Sequence, residues 1–447
     1  MAELLVTLLN SIICLLYIYW SVRAMVVVGK LRLLHLSSVI VVLFNGISIP
    51  FLGLSTSIFN KASSSDEVTW IAFWSMSLFI FICSVFQKQK FYKLPKINVP
   101  KNYKRKFKAN LWFWFFLVIG IFSILRFMIF SNGLSFMGSV FSSLGNIEQY
   151  YLTRLEIGEE LVVPGRGLGW AVISANYLLP MISFLSIYYA CNRKLSKKSQ
   201  VLYWIIWVIS ILLMTAFYIT LAHRFMIAYL LIIIAFCIFI YRYNGNLELY
   251  FLKWKKPYLI LSIITLVVTG LGYLFSLVSG SSLLEGIGFL AERTVLIPAG
   301  TNSFYYYLFP ARFPYRGLLG SFNMSGISLN SNDVGFYDVA EAMTGLRYGA
   351  NASFIAIGYS GAGLLGVGVV SVVYCLIASC ADRLLNRMEP RLRFIGILIN
   401  LYGIIGLAST PLNASVVSFG FGVSSFIFYF LIKRITKNDQ LQQQGNV

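Results

Sequence analysis

The feature that most constrains this chain is a series of apolar runs, each about as long as a helix that crosses a bilayer. They lie at about 4–22, 33–52, 68–87, 110–130, 167–190, 201–222, 225–241, 257–278, 353–381, 394–411 and 414–432. A transmembrane helix needs about 20 mostly apolar residues. Apart from Arg126, these runs carry no charge. The sequence therefore predicts an all-α polytopic membrane protein with about 11 transmembrane helices, forming one integral-membrane domain over residues 1–447.

Composition excludes a soluble protein. Hydrophobic residues make up 58% of the chain and charged residues only 12%, whereas average soluble chains carry about 25% charged residues. The first apolar run follows Met1–Glu3 with neither a basic n-region nor a small-residue cleavage site, so we expect a retained helix rather than a signal peptide. The six cysteines lie in apolar runs or at their ends, which implies no disulfide framework.

Lysine and arginine mark the predicted orientation, because cytoplasmic loops retain an excess of these residues. Of the 36 Lys and Arg, 27 fall in alternate loops that begin at Arg23, Lys88, Arg193, Arg242 and Asp382 and in the tail from Lys433. The basic loop at about 88–109 is the densest of these segments. The formal net charge of +20 is therefore an orientation signal and not a nucleic-acid footprint. We expect a periplasmic amino terminus, a cytoplasmic carboxyl terminus and no nucleic-acid partner.

Two larger loops remain on the extracytoplasmic side, at about 131–166 and 279–350. The second has no lysine, but it holds four arginines and five carboxylates: Arg293, Arg312, Arg316 and Arg347, with Glu285, Glu292, Asp333, Asp338 and Glu341. A planar guanidinium binds phosphate or carboxylate oxygens in a forked geometry, and the aromatic faces between Tyr305 and Tyr315 suit sugar rings. This composition favours an anionic, glycosidic ligand. A loop of this length also needs ion pairs and aromatics simply to be ordered.

Other candidate residues lie at the predicted outer face. The sixth and seventh runs meet at His223 and Arg224, where the chain must bend because about 40 continuous helical residues would be far longer than a bilayer. Arg224 could hold a lipid diphosphate there or anchor the turn to phospholipid. Asp338 and Glu341 are three positions apart and share a face if they are helical. They could form a catalytic base, or they could cap and salt-bridge the segment.

The bend with its lone arginine, the arginine-rich loop late in the chain and the stretch ANASFIAIGYSGAGLLGVGV together resemble the O-antigen polymerases. These Wzy-type enzymes polymerise oligosaccharide repeat units for bacterial surface polysaccharides. The Arg-x10-Gly pattern of the family occurs twice, from Arg154 to Gly165 and from Arg347 to Gly358, once for each large outer loop. The second glycine falls where the chain re-enters the membrane.

The resemblance implies a GT-C-like, metal-independent glycosyltransferase of the bacterial inner membrane that needs no cofactor. The growing glycan on undecaprenyl diphosphate would pass to a lipid-linked repeat unit at the outer face, with a chain-length regulator and a flippase as protein partners. Arginines would stabilise the leaving diphosphate, and His223, Asp338 or Glu341 would take the acceptor proton. The implied substrate-binding set is Arg154, Arg166, Arg224, Arg293, Arg312, Arg316 and Arg347, with Gly165 and Gly358 as motif glycines.

Two other functions remain open at this point. An O-antigen ligase, which hands polymer to lipid A core, would carry much the same sequence features. A lipid-linked oligosaccharide flippase would share the size, the charge asymmetry and the substrate. A flippase should place ionisable residues near mid-membrane and often shows internal repeats, whereas these runs are nearly free of charge and show no repeat.

Overall fold

The structure is a computed structural model of the whole chain. The residues that it describes are 2–46, 66–88, 111–143, 146, 148–150, 152–153, 156–157, 168–191, 195–221, 224–243, 265, 268–273, 275–276, 280–291, 297–323, 334–345, 349, 351–388 and 390–432. Within these ranges the chain forms helices and turns, with no strand.

The helices follow one another along the chain with two short π-helical segments, Val42–Gly46 directly after α2 and Ser174–Leu178 between α6 and α7. They are α1 (Ala2–Val28), α2 (Leu33–Val41), α3 (Asp66–Lys88), α4 (Leu111–Phe130), α5 (Gly133–Ser142), α6 (Leu168–Ile173), α7 (Leu179–Ala190), α8 (Lys197–Thr220), α9 (Arg224–Tyr243), α10 (Leu283–Ala291), α11 (Ile297–Leu308), α12 (Gly317–Gly320), α13 (Phe336–Thr344), α14 (Phe354–Leu385), α15 (Pro390–Ile399), α16 (Leu401–Gly406), α17 (Leu412–Val417) and α18 (Val423–Ile432).

Six helical stretches in the described part of the chain are long and apolar enough to cross a membrane: Leu5–Val28, Glu67–Lys88, Leu111–Phe130, Leu168–Ala190, Lys197–Thr220 and Phe354–Leu385. They coincide with the first, third, fourth, fifth, sixth and ninth predicted runs, which confirms a multi-pass helical membrane protein. α9 follows the seventh run, and α15 to α18 divide the last two runs into shorter pieces. Most of the 257–278 run lies outside the described residues, so the total of eleven stays a prediction.

The chain forms two compact units, each assembled from separate stretches of sequence. The first unit contains Met1–Pro95, Ala291–Arg383 and Gly403–Val417, and the second contains Lys96–Leu290, Leu384–Tyr402 and Ser418–Val447. Both interleave early and late parts of the chain.

Buried hydrogen bonds join four helix ends at one end of the first unit. Gln87, near the end of α3, donates to the Tyr17 hydroxyl of α1 at 2.9 Å and to the Ser38 hydroxyl of α2 at 3.1 Å. Asp382, near the end of α14, accepts from the backbone N–H groups of Leu33 and Leu34 at the start of α2. All four of these ends are predicted to be cytoplasmic, and the structure places them together.

The opposite end of the first unit is joined by amide side chains. Asn10 of α1 donates to the Gly46 carbonyl at 2.8 Å, and Asn302 of α11 donates to the Asn45 side-chain oxygen at 2.7 Å. The backbone N–H of Ser353, just before α14, donates to the Asn302 side-chain oxygen at 2.8 Å. Buried polar groups need such partners, because an unmade hydrogen bond in an apolar interior costs free energy.

In the second unit, too, helix ends that the sequence assigns to the same side of the membrane contact one another. Phe113 near the start of α4, Tyr189 near the end of α7 and Tyr203 near the start of α8 pack ring against ring, with centroids 5.9 Å and 5.0 Å apart. At the other end of α8, the Thr220 hydroxyl donates to the Gly133 carbonyl at the start of α5. The helix ends that the sequence assigns to one side therefore lie together in this unit too.

The segment 279–350, which was predicted as an outer loop, contains a buried helix, α11. α11 is buried along most of its length, and its Phe304, Tyr305 and Leu308 side chains are almost fully covered. It packs against α3 and against the π-helical end of α2. α11 is therefore part of the core of the first unit, and the turn that follows it starts from a buried helix end.

Candidate substrate-binding site

The turn after α11 brings Arg316 of the large loop to the broken start of α14. The backbone N–H groups of Arg312 and Phe313 both donate to the Leu308 carbonyl, which closes the end of α11. Four residues further on, the Arg316 N–H donates to the Ser360 carbonyl at 3.1 Å. This bond fixes Tyr315 and Arg316 beside α14.

α14 is not a straight helix. Ala362 and Gly363 have non-helical backbone angles, and Gly363 has a φ of 61°, a left-handed value that glycine adopts most easily. Residues 358 and 366 would be about 12 Å apart along a straight helix at 1.5 Å per residue. In the structure, a Cβ on Gly366 would overlap the Gly358 carbonyl oxygen. The chain therefore doubles back on itself at this break.

Glycines and one serine make this close approach possible. The Ser321 hydroxyl donates to the Gly358 carbonyl at 3.2 Å. A Cβ on Gly361 would overlap Ser321, and a Cβ on Gly358 would lie 2.7 Å from the Val370 side chain. Gly358, the glycine of the second Arg-x10-Gly pattern, thus has a packing role in the described structure. As predicted, it lies in the helix and not in the loop.

Three tyrosines from three different elements meet at this break. The Tyr359 ring of α14 packs edge-on against Tyr306 of α11 and against Tyr315 of the turn, with centroid distances of 5.4 Å and 6.0 Å. The Tyr359 hydroxyl interacts with the Tyr315 hydroxyl. Glu67 lies in the first turn of α3, the helix against which α11 packs. Tyr306 and Tyr359 are buried, whereas Tyr315 is 41% exposed and the Glu67 side chain is also exposed.

Arg316 lies half-buried next to this group. Its guanidinium donates to the Asn323 side-chain oxygen at 2.8 Å. Asn323 has a φ of 52°, and the Asn413 side chain donates to its carbonyl at 3.5 Å. Burial raises the pKa of the nearby Tyr305 hydroxyl, and the positive charge of Arg316 acts in the opposite direction. A guanidinium binds anions such as phosphate through its forked N–H donors.

The other described candidates serve the ends of α13. The Asp338 carboxylate accepts from the Gly335 N–H at 2.7 Å, which caps the start of that helix. The exposed Arg312 side chain donates to the Ala342 carbonyl at 3.0 Å, in the last turn, where a positive charge also suits the helix dipole. Of the two alternatives left open for Asp338, the structure shows the cap. The Glu341 side chain is exposed.

For the remaining candidate residues, the structure shows a helix position or nothing. α8 ends at Thr220 and α9 begins at Arg224, which confirms the predicted bend and makes Arg224 the first residue of a helix in the second unit. Arg154, Arg166, His223, Arg293, Arg347 and Gly165 lie outside the described residues. In the part of the chain that the structure describes, no three His, Cys, Asp or Glu side chains come together as a metal site would require.

Sequence reasoning missed several residues of this region. Glu67 stands at the outer start of the third apolar run, and Asn323 and Tyr359 are far from it in sequence. Tyr359 lies in the stretch that carried the resemblance, so it could have been named as a candidate. The sequence does not show which residues contact it. Only the fold of the first unit brings Asn323 and Tyr359 beside the turn that carries Tyr315 and Arg316.

The described helices and this cluster define a multi-pass α-helical membrane protein with an arginine- and tyrosine-containing site at one end of its first unit. Comparison of the chain with protein families, with curated proteins and with solved structures found no match.

Proposed function

We propose that this chain is a membrane-embedded glycosyltransferase that joins undecaprenyl diphosphate-linked repeat units into a surface polysaccharide. The observation that carries the proposal is the cluster of Arg316, Tyr315 and Tyr359, which is built on the buried helix α11 and the broken start of α14. The Lys and Arg distribution assigns this end of the first unit to the periplasm. A GT-C-like arrangement of about eleven helices in the bacterial inner membrane is part of the same proposal.

The chemistry needs a positive site for the leaving diphosphate and a base for the acceptor hydroxyl. Arginine suits the first role, since its planar guanidinium can bind two phosphate oxygens at once. Arg316 of the first unit is held in place by Asn323. Arg224, the first residue of α9 in the second unit, is a separate candidate for the same role. His223 and Glu341 remain the proposed bases, because the Asp338 carboxylate already caps α13.

The distribution of charge disfavours a flippase. In the six described spans, every charged residue lies within the first or last two turns of its helix. A transporter that moves a charged headgroup through the membrane would need ionisable or polar binding residues near the midplane. An enzyme that acts at the outer face needs its charges at the helix ends and in the outer loops.

Deletion of the gene tests the proposal. We expect the deletion strain to carry surface glycan with a single repeat unit attached, because ligation continues without polymerisation, and we expect the wild-type gene on a plasmid to restore long chains. The measurement is a gel of extracted surface polysaccharide. Loss of all attached glycan with accumulation of long lipid-linked polymer would identify a ligase. Accumulation of unpolymerised lipid-linked repeat unit on the cytoplasmic side would identify a flippase.

A further inference from the structure

Cys83 of α3 and Cys375 of α14 contact each other inside the first unit. Their Sγ atoms are 3.7 Å apart, both side chains are fully buried, and both are free thiols. A buried cysteine often serves only as a small apolar side chain. Here, however, the nucleophilic atoms of two helices face each other, although the residues are 292 positions apart in the sequence. This contact is separate from the Arg316 cluster and has no part in the proposed function.

The face of α14 that carries Cys375 is built from small side chains. Ser371, Cys375 and Ala378 lie on one face of the helix, because they recur at i, i+4 and i+7, and all three are fully buried. Small residues at a helix–helix interface let the two backbones come close together. The ring of Tyr374 packs against Phe79, one turn before Cys83, with 5.6 Å between the ring centroids. Close helix packing of this kind favours a disulfide, which needs Cα atoms within about 7 Å of each other.

The two sulfurs need only a small movement to bond. In a disulfide the sulfur atoms are about 2.05 Å apart, so the Sγ atoms would have to approach by about 1.7 Å from their separation of 3.7 Å. The pair lies one turn before Gln87, at the end of α3 that the sequence assigns to the cytoplasm. Cytoplasmic thiols are kept reduced by glutathione and thioredoxin, so a disulfide here would be transient and reversible.

We propose that Cys83 and Cys375 are a redox-sensitive dithiol, which hydrogen peroxide closes to a disulfide that joins α3 to α14. One sulfur attacks a peroxide oxygen, the O–O bond breaks, and a sulfenic acid and one water form. The second thiol attacks the sulfenic sulfur, the S–S bond forms, and a second water leaves. Two thiols and one peroxide thus give one disulfide and two waters, and two electrons pass from sulfur to the peroxide. Hydrogen peroxide is small and uncharged, so it can enter an apolar interior that excludes charged reagents.

The disulfide would restrict the movement of α14 relative to α3. α14 is interrupted at Ala362 and Gly363, and Cys375 lies in the part of the helix that follows this break. α3 packs against α11, the buried helix from which the arginine-bearing turn starts. Oxidation therefore fixes the position of one helix of the first unit against another.

The test uses the purified full-length protein in nanodiscs, reduced with dithiothreitol and then freed of it. Hydrogen peroxide is added, the remaining thiols are alkylated, and disulfide-linked peptides are identified by mass spectrometry. We expect a peptide that joins Cys83 to Cys375 and that disappears on renewed reduction. Relative to other cysteine pairs, it should be about tenfold more abundant than in protein unfolded in SDS before oxidation, because the fold holds the two sulfurs together. Cys83→Ser and Cys375→Ser should each abolish it.

Cys237→Ser is the matched control, because it removes another fully buried cysteine, which belongs to the second unit. It should leave the linked peptide unchanged. The proposal is overturned if Cys83 and Cys375 stay free at a peroxide concentration that oxidises the exposed Cys380. It is equally overturned if either residue pairs with a different cysteine, or if the SDS-unfolded protein gives as much of the linked peptide. None of these measurements uses polymer formation, so a failure of the proposed glycosyltransferase would leave the dithiol in place.

Discussion

Asp382 is a buried carboxylate near the end of α14 that accepts hydrogen bonds from the Leu33 and Leu34 N–H groups, 349 and 348 positions away in the sequence. The residue at the start of α2, Arg32, provides no side-chain cap of its own. The first N–H groups of a helix have no partner within the helix, and a negative charge there is favoured by the dipole. Asp382 of α14 supplies both the missing hydrogen-bond acceptors and the negative charge.

We expect Asp382→Ala to destabilise the protein by about 3 kcal/mol, because it leaves two buried N–H groups without these acceptors and removes a charge that favours them. Asp382→Asn keeps one acceptor oxygen and should cost less. The measurement is the thermal unfolding temperature of the purified protein in detergent, with the unmodified chain alongside. Equal unfolding temperatures for Asp382→Ala and the unmodified protein would show that the cap contributes nothing to stability.

Local residue roles are easier to predict from the sequence than roles like that of Asp382. Ser282 and Glu285 have the spacing of a capping box, and in the structure the Ser282 N–H and hydroxyl both donate to the Glu285 carboxylate, which lowers its pKa. Asp382 was predicted only as an acid of an inner loop. Its burial and its partners depend on the packing of α2 against the end of α14, which no local pattern encodes.

At the scale of elements, α11 and α14 are two helices whose structure could not be predicted from hydrophobic periodicity and apolar length. α11 has only 12 residues and includes the polar sequence Thr301–Ser303, so it does not resemble a membrane span. Its burial depends on Asn302, which bonds to Asn45 and to the Ser353 N–H. α14 was predicted as one continuous run. Its glycines fit a straight helix as well as a broken one, and Ser321 and Tyr315 occupy the space that the break creates.

The broken start of α14 gives a prediction with a control in the same helix. Gly366→Ala should sharply reduce the amount of folded protein in the membrane, because its Cβ would overlap the Gly358 carbonyl and lie 2.7 Å from the Ser321 hydroxyl. Gly368→Ala should be tolerated, since the nearest atom to its Cβ is 3.8 Å away. Both variants are compared by fluorescence-detected size-exclusion chromatography of detergent extracts. Equal yields for the two would contradict the doubled-back geometry.

At the scale of the whole molecule, the sequence predicted the alternation of helix ends better than it predicted the site. Apolar length and basic loops depend on the bilayer, which acts on each helix separately, so these signals can be read from local composition. In each unit, helix ends assigned to one side do lie together, as Gln87 with Tyr17 and Thr220 with Gly133 illustrate. The meeting of Tyr306, Tyr315 and Tyr359 depends on tertiary packing and could not be predicted in this way.

The orientation of these ends relative to the membrane gives the last prediction. Ala311 in the first unit and Leu284 in the second are exposed and lie in the segment assigned to the periplasm, whereas Lys197 is exposed at the end assigned to the cytoplasm. In intact spheroplasts, Ala311→Cys and Leu284→Cys should react with a membrane-impermeant maleimide, because a bilayer excludes a charged reagent. Lys197→Cys should react only after permeabilisation. The unmodified chain, whose exposed cysteine is Cys380 near the inner end of α14, provides the background. Labelling of Lys197→Cys in intact spheroplasts, with Ala311→Cys and Leu284→Cys protected, would reverse the orientation and place the Arg316 cluster in the cytoplasm, where undecaprenyl diphosphate-linked repeat units are assembled and not polymerised.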